Sequence, residues 1–375
     1  MVESIRSLTR LIWHEEAPPP AAWADLIPLA AAQGLLPLVA WRARQAGWRL
    51  PEAVERRLQT PWRQAVAREA AATQQIEQLG QLVAGLDMDL ILLKGPAVAR
   101  RYPHPAARPF RDLDVLVASK KGARLLSRVL AAQGYEPRSA CRASVHLSPF
   151  YPARGGLRVE IHHALGSGDI DLPIEEVWRA AQPLADVPGW WAMAPADHAL
   201  YLMLHALQRH ALESGLRWLY DLTCWTRDWD PAAWRALVGR AREWGMGPTL
   251  QLTCGLWAWA QEIAWDELPC GELLEPPPAP VMTMARQAVT RSAPRLPKAW
   301  RDGAGEGIGG WLRYGWTVLI QGGEIGPLEI PGRVAYLVRQ HGPSLWRLAR
   351  GDREARRSWA RQRQLYGWLA GQGER

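Results

Sequence analysis

Residues 91–117 read ILLKGPAVARRYPHPAARPFRDLDVLV. An apolar segment leads into a Lys-Gly-Pro turn and a short amphipathic stretch, and two aspartates spaced by one residue precede a second apolar run. Because side chains alternate along an extended strand, Asp112 and Asp114 are predicted to share one face, while Leu113 and Val115 enter the core. Two carboxylates on one face repel each other, and a hard divalent cation such as Mg²⁺ relieves that repulsion. The stretch therefore predicts a metal-dependent site for phosphoryl or nucleotidyl transfer.

Composition limits the class of protein. The 375 residues are enough for two or three compact units. Lys plus Arg outnumber Asp plus Glu by 45 to 37, for a formal charge of +8, which is compatible with a polyanionic substrate. The four cysteines are far apart and have no CxxC spacing, so neither a zinc site nor a disulfide framework is predicted. The charged first segment argues against a signal peptide, and the most apolar region, 252–265, is too short to cross a bilayer. We expect a cytoplasmic protein without a membrane segment.

The sequence pattern changes along the chain in a way that predicts four regions. Residues 1–85 are predicted to be an N-terminal helical region, because their apolar residues recur at three and four. Residues 86–174 alternate apolar runs with helical patterns, which predicts an α/β core around one sheet. Strand signals fade after about residue 174, so 175–272 is predicted to be a helical domain and 273–375 a proline-rich connector with a basic helical C-terminal region. The predicted strands are 89–93, 113–117, 145–151 and 157–161, and the helices between them are 96–102 and 120–133.

Single residues mark the ends of several predicted helices. Gly134 is expected just beyond a helix end with a positive φ. Asp230 is predicted to cap a helix that has Pro231 in its first turn. Arg217 and Asp221 lie four residues apart, the spacing of an ordinary ion pair within a helix, and we expect both to be structural.

Taken in order, these motifs resemble a known family. The stretch LLKGPAVARRYPHPAARPFRDLDVLV is followed by LRVEIHHAL and then by HALQRHALESGLRWLYDL. This order of strand, Lys-Gly, Tyr-Pro turn, Arg, Asp-x-Asp and a later acidic residue two before a His resembles the uncharacterised nucleotidyltransferase family of the DNA polymerase β-like superfamily, over residues 60–260. The resemblance implies an α+β fold: a nucleotidyltransferase-like mixed sheet flanked by helices, with an N-terminal helical region and a C-terminal helical domain.

Glu160 is the predicted third carboxylate of the site. In RVEIHH it alternates with Val159 and Ile161, which places Glu160 and His162 on one face beside the aspartate strand. Three carboxylates from neighbouring strands are an economical way to hold two cations. The predicted catalytic residues, which are also the predicted metal ligands, are Asp112, Asp114 and Glu160.

The turn before the aspartates is the predicted phosphate-binding element. A glycine between a strand and a helix lets backbone amides approach phosphate oxygens. The superfamily commonly has Gly-Ser here, whereas this chain has Pro96 in place of Ser, and Lys94 would supply the missing charge. The predicted substrate-binding residues are Lys94, Gly95, Arg108 and His162. In the alternative interpretation the turn is purely structural, the aspartates pair with Arg108 and Arg111, and Glu160 and His162 lie on a solvated face.

The resemblance implies a Mg²⁺-dependent enzyme that moves a nucleoside monophosphate from an NTP to an unidentified acceptor. Mn²⁺ is an alternative cation, and ATP is the default NTP although no adenine-binding motif is visible. The alternative function is a catalytically inactive, nucleotidyltransferase-fold protein that binds nucleic acid or a protein partner through its basic C-terminal region. Arginines and tryptophans interleave over residues 344–369, which fits such a role or a charged helix that closes the fold. The oligomeric state stays open.

Overall fold

The structure is a computed structural model that describes residues 2–86, 88–137, 145–167, 170–184, 187–209, 212, 215–290, 360, 364–365 and 367–369. The strands are β1 (Leu90–Leu92), β2 (Asp112–Leu116), β3 (Tyr135–Pro137), β4 (Phe150–Pro152), β5 (Arg158–His162), β6 (Leu165–Ser167), β7 (Ile170–Leu172), β8 (Gln182–Pro183) and β9 (Trp190–Ala192). The α-helices are α1 (Val2–Thr9), α2 (Trp23–Ala32), α3 (Leu36–Gln45), α4 (Glu52–Ala84), α5 (Pro96–Ala99), α6 (Lys120–Ala132), α7 (Ile174–Ala180), α8 (Pro195–Leu204), α9 (Arg217–Thr226), α10 (Pro231–Glu243), α11 (Gly247–Gln261) and α12 (Ala279–Thr290). Short π-helical segments cover Arg10–His14 and His205–Arg209, and 3₁₀ turns cover Pro20–Ala22, Pro105–Ala107 and Gly271–Leu273.

A seven-stranded mixed sheet forms the centre, in the order β3-β4-β5-β2-β1-β9-β8. Strand β2 pairs parallel with β5 and antiparallel with β1, and β1 pairs parallel with β9. Strand β1 (LIL) is a short, continuous apolar run and is fully buried, as expected for a strand covered on both faces, whereas β2 and β5 alternate apolar with charged residues. Strands β6 and β7 form a separate two-stranded antiparallel sheet. The predicted fold class, an α+β mixed sheet flanked by helices, is confirmed.

Two hydrophobic clusters cover the two faces of the sheet. Leu90 and Leu92 pack with residues of α4 and α6, whereas Ile91 and Leu93 pack with the N-terminal helices and with α8 to α12. This is the alternation that a strand requires. The 33-residue helix α4 contributes to both clusters, with its first half in one and its second half in the other. The N-terminal helices and the later helices therefore share one core beside the sheet.

The expectation that strands end near residue 174 is wrong. Strand β9 pairs with β1 through Leu90–Trp190 and Ile91–Trp191, so the sheet takes two strands from the segment 182–192. Three residues are too few to show a periodic pattern, and the position of β9 depends on tertiary contacts. The buried Trp190 indole, for example, donates a hydrogen bond from Nε1 to the carbonyl of Ile76 in α4, at 2.9 Å.

Local predictions for helix ends are confirmed. Gly134 follows α6 with φ +80°. Asp230 Oδ1 accepts a hydrogen bond of 2.8 Å from the amide of Ala233 at the start of α10. The predicted helix 96–102 is shorter than expected, because α5 ends at Ala99. None of the helices within the described ranges is long and apolar enough to cross a bilayer.

Much of the predicted C-terminal region lies outside the described residues, including most of the arginine- and tryptophan-containing stretch 344–369. Cys141 itself also lies outside them. At the end of the chain, Leu365 and Leu369 are buried against the same core as α8 to α12. Their spacing of four matches one helical face. These two contacts agree with a terminal helix that closes the fold.

Candidate active site

The aspartate strand turns its acidic face toward the helices that follow the sheet. Leu113 and Val115 are buried against α4 and α6, as predicted, so Asp112 and Asp114 point to the opposite face. Strand β5 runs parallel to β2, and Asp114 is paired in register with Glu160. The prediction that Asp114 and Glu160 share one face is therefore confirmed by the register of the sheet.

Three side chains come together on this face. Asp114, Glu160 and His162 each offer one donor atom, and these atoms lie within 4.8 Å of one another. Asp114 is 1% exposed and His162 is 4% exposed. Two carboxylates and an imidazole form a donor set that divalent cations accept in proteins. Asp114 Oδ2 is also buried without a hydrogen-bond partner among the described residues. A buried carboxylate oxygen with no other partner suits the role of a metal ligand.

Asp114 is held in its charged form by two neighbours. Lys94 Nζ lies 2.8 Å from Asp114 Oδ1, and His162 Nε2 lies 3.0 Å from the same oxygen. Burial by itself would raise the pKa of Asp114, but the Lys94 charge and the His162 hydrogen bond outweigh it and hold the pKa well below its usual range. The buried carboxylate is therefore ionised at neutral pH.

The pKa values of Glu160 and His162 are also shifted from their ordinary values. Burial, reinforced by the negative charge of Asp114, raises the pKa of Glu160 above its ordinary value. Burial lowers the pKa of His162 to about 4. The imidazole is therefore neutral near pH 7, which is the form that binds metals.

Asp112 lies on the same face as Asp114 but has a different partner. It sits half-buried at the start of β2, and its Oδ2 accepts a hydrogen bond of 2.7 Å from Arg158 Nη2. Arg158 Nε lies 3.2 Å from Glu160 Oε1, so this guanidinium bridges the two carboxylates. Of the three predicted ligands, the structure brings Asp114 and Glu160 into the close cluster together with His162. Asp112 joins them through Arg158.

The glycine turn has the backbone conformation that only glycine adopts easily. Gly95 has φ +50°, and a Cβ atom there would lie 3.3 Å from the carbonyl oxygen of Asp112. Arg108 Nη1 donates a hydrogen bond of 3.2 Å to the Gly95 carbonyl. The turn is thus fixed between β2 and a buried arginine.

Arg108 makes a contact that was not predicted. Its Nε and Nη2 bind the two carboxylate oxygens of Asp221 at 2.8 Å each, and Tyr102 donates a further hydrogen bond of 2.6 Å to Asp221. Among the described residues Asp221 pairs with Arg108 and not with Arg217, so the expected ion pair within the helix is wrong. The alternative in which Arg108 and Arg111 neutralise the Asp-x-Asp pair is also wrong.

A cavity of about 520 Å³ opens beside the aspartates. Its walls come from the N-terminal helices, the Gly95 turn, the start of β2, and the segments around α8 and α9. Asp112, Asp114 and Lys94 line it. The volume falls within the range of small-molecule sites, about 300 to 1,000 Å³.

Comparison with known proteins agrees with this architecture. A family model described as an uncharacterised nucleotidyltransferase matches residues 19–260. The chain belongs to this family. No curated protein matches the chain. The match begins at residue 19, whereas the resemblance of the motifs covered 60–260, so this nucleotidyltransferase family includes the N-terminal helices that line the cavity.

Three further residues at this candidate site were not among the predicted site residues. Arg158 lies two residues before Glu160, and strand alternation alone could have placed it on the same face. His205 Nε2 lies 3.0 Å from Lys94 Nζ, a contact between a strand end and a π-helical segment that no local pattern predicts. Arg217 lines the cavity although its spacing indicated an intrahelical ion pair.

Proposed function

We propose that this chain is a divalent-metal-dependent nucleotidyltransferase that moves a nucleoside monophosphate from an NTP to an acceptor hydroxyl or phosphate and releases pyrophosphate. The observation that carries the proposal is the cluster of Asp114, Glu160 and His162, with donor atoms within 4.8 Å of one another. Mg²⁺ is the proposed cation and Mn²⁺ the alternative, because both accept carboxylate oxygens. ATP is the first NTP to test.

The chain's own residues have properties that suit this chemistry. When bound, the cation would neutralise charge on the transferred phosphorus and activate the attacking oxygen. Asp114 is suited to hold it because it stays ionised although it is buried. Asp112 is the proposed further carboxylate ligand, and His162 offers a neutral imidazole as the third donor of the close cluster.

Glu160 is the proposed proton acceptor as well as a ligand. Its raised pKa brings the carboxyl closer to the range in which a general base works at neutral pH. Arg158 keeps Glu160 and Asp112 aligned through its two contacts of 3.2 Å and 2.7 Å. Gly95 lets the backbone approach the phosphates of the NTP, and Arg108 fixes that turn through the Gly95 carbonyl.

A labelling experiment tests this function. The purified chain is incubated with Mg²⁺ or Mn²⁺, a cell extract, and each NTP labelled either at the α-phosphate or at the γ-phosphate. We expect label from the α-phosphate in a macromolecule or small molecule of the extract, and none from the γ-phosphate. Asp114→Asn should abolish the transfer, whereas the exposed and distant Asp266→Asn should not.

Two outcomes would contradict the proposal. Transfer of the γ-label would show a phosphotransferase instead of a nucleotidyltransferase. Equal transfer by the wild type and by Asp114→Asn would show that the activity does not use this site.

A further inference from the structure

The cavity beside the aspartates carries more positive charge than its own carboxylates neutralise. Its basic lining residues are Arg68, Lys94, Arg108, Arg111, Arg158 and Arg217, and its acidic ones are Asp112, Asp114 and Asp221. Each aspartate forms an ion pair with one of these basic residues, at 2.7 to 2.8 Å. Lys94 pairs with Asp114, Arg158 with Asp112 and Arg108 with Asp221. For the other three arginines, the described part of the chain provides no carboxylate within ion-pair distance.

Arg217 differs from Arg68 and Arg111 in having a buried side-chain nitrogen. Its Nε is buried and has no hydrogen-bond partner within the described ranges. Its Nη1 packs against Gly34 in the turn between α2 and α3. Burial, together with the like charge of Arg108, lowers the pKa of Arg217. A guanidinium without partners in such a place costs folding free energy, so a ligand that pairs with it would recover that cost.

The position of Arg217 indicates the kind of ligand. Arg217 lines the same cavity as Gly95, and Arg108, its charged neighbour, donates a hydrogen bond of 3.2 Å to the Gly95 carbonyl. The proposed function places the phosphates of the NTP at this turn. Lys94 and Arg108, which the sequence indicated for phosphate binding, are already neutralised by aspartates.

We propose that Arg217, supported by Arg68 and Arg111, forms the subsite for the triphosphate of the NTP. The guanidinium fork matches phosphate oxygens in a bidentate manner, and several unpaired cations suit a ligand with several negative charges. This inference rests on the proposed function for the identity of the ligand, but its test does not require turnover.

The test measures binding of inorganic tripolyphosphate to the full chain in EDTA, by calorimetry at low ionic strength. We expect Arg217→Gln to weaken binding about 10- to 100-fold, as for the loss of a charged hydrogen-bonding group. The affinity of Arg217→Lys for tripolyphosphate should lie between those of the wild type and Arg217→Gln. The matched control Arg124→Gln removes an exposed arginine from α6, away from the cavity, and should bind as the wild type does.

Thermal unfolding separates binding from structure. Without ligand, Arg217→Gln should unfold at the same temperature as the wild type or higher, because the substitution removes a partly buried charge that has no ion-pair partner among the described residues. Tripolyphosphate should raise the unfolding temperature of the wild type and leave that of Arg217→Gln nearly unchanged. Wild-type affinity in Arg217→Gln, or a lower unfolding temperature with unchanged affinity, would overturn the inference.

Steady-state kinetics identify the substrate that uses the subsite. Arg217→Gln should raise KM for the NTP, and a rise confined to KM for the acceptor would overturn the assignment to the triphosphate. If tripolyphosphate binds through Arg217 but no nucleotide is transferred, the anion subsite stands and the proposed function fails.

Discussion

Arg108 and Asp221 form a buried pair with two hydrogen bonds of 2.8 Å, across a sequence separation of 113 residues. Arg108 follows the 3₁₀ turn before β2 and also binds the Gly95 carbonyl, while Asp221 belongs to α9. The pair therefore ties the glycine turn to the helix that carries Arg217. The shape of the cavity depends on this connection between sheet and helix.

Arg108→Leu should destabilise the fold strongly. It leaves Asp221 buried and without its ionic partner, which typically costs about 3 to 5 kcal/mol of unfolding free energy. Chemical denaturation of the variant measures the loss. The double variant Arg108→Leu/Asp221→Leu should recover much of it, because no uncompensated charge remains. A loss of unfolding free energy below about 1 kcal/mol in Arg108→Leu would show that the Arg108–Asp221 pair does not hold the glycine turn to α9.

Glu160→Gln should stabilise the metal-free protein. The folded-state pKa of Glu160 is raised by burial and by Asp114, so the folded chain holds this proton more tightly than the unfolded chain does. Ionisation of Glu160 as the pH rises therefore costs stability, and a neutral glutamine avoids that cost. Thermal unfolding in EDTA near pH 7 measures the gain, with exposed Glu136→Gln as the control. A lower unfolding temperature for Glu160→Gln than for Glu136→Gln would contradict the electrostatic assignment.

His198 should contribute to acid sensitivity. Its ring lies 4.2 Å from that of Trp225, neither ring nitrogen has a partner among the described residues, and burial and the charges of Arg108 and Arg101 lower its pKa to about 3. Between about pH 6 and pH 4 the unfolded chain binds this proton and the folded chain does not, so stability falls as the pH falls.

His198→Phe should reduce that pH dependence by up to about 1.4 kcal/mol per pH unit between about pH 6 and pH 4. Part of the dependence should remain, because burial also lowers the pKa of His162 to about 4. Denaturant titrations at several pH values measure the slope. An unchanged slope in the variant would mean that His198 takes up its proton in the folded state as well.

Gly95→Ala and Gly47→Ala form a matched pair of substitutions. Both glycines have positive φ, +50° and +63°, but an added Cβ meets the Asp112 carbonyl oxygen at 3.3 Å only at position 95, and it meets nothing within 4 Å at position 47. Each variant should lose about 1 to 2 kcal/mol from the strained conformation. Thermal unfolding should show a larger loss for Gly95→Ala, because the start of β2 must also shift. Equal losses would show that the contact with Asp112 is not restrictive.

Local periodicity was enough to predict the central part of the fold. The alternation of Asp112, Leu113, Asp114 and Val115 correctly separated a core face from an acidic face. The same argument placed Glu160 on that acidic face, and the parallel register with Asp114 confirms it. These features depend on neighbouring residues along the chain, so the sequence alone determines them.

Ion pairs between residues that are distant in sequence could not be predicted from local periodicity. Asp221 has Arg217 one helical turn away but binds Arg108, which comes from another part of the chain. Asp112 binds Arg158, and Asp114 binds Lys94, because burial on one sheet face brings these charges together. Strand β9 likewise has no signal of its own, since its three residues join the sheet through β1.

The most direct test of the account is a Mn²⁺ titration followed by electron paramagnetic resonance. We expect the wild type and Glu136→Gln to bind Mn²⁺ alike, and Glu160→Gln and His162→Gln to bind it more than about tenfold more weakly while remaining folded. Equal Mn²⁺ affinity in all four proteins would contradict a cation site formed by Asp114, Glu160 and His162.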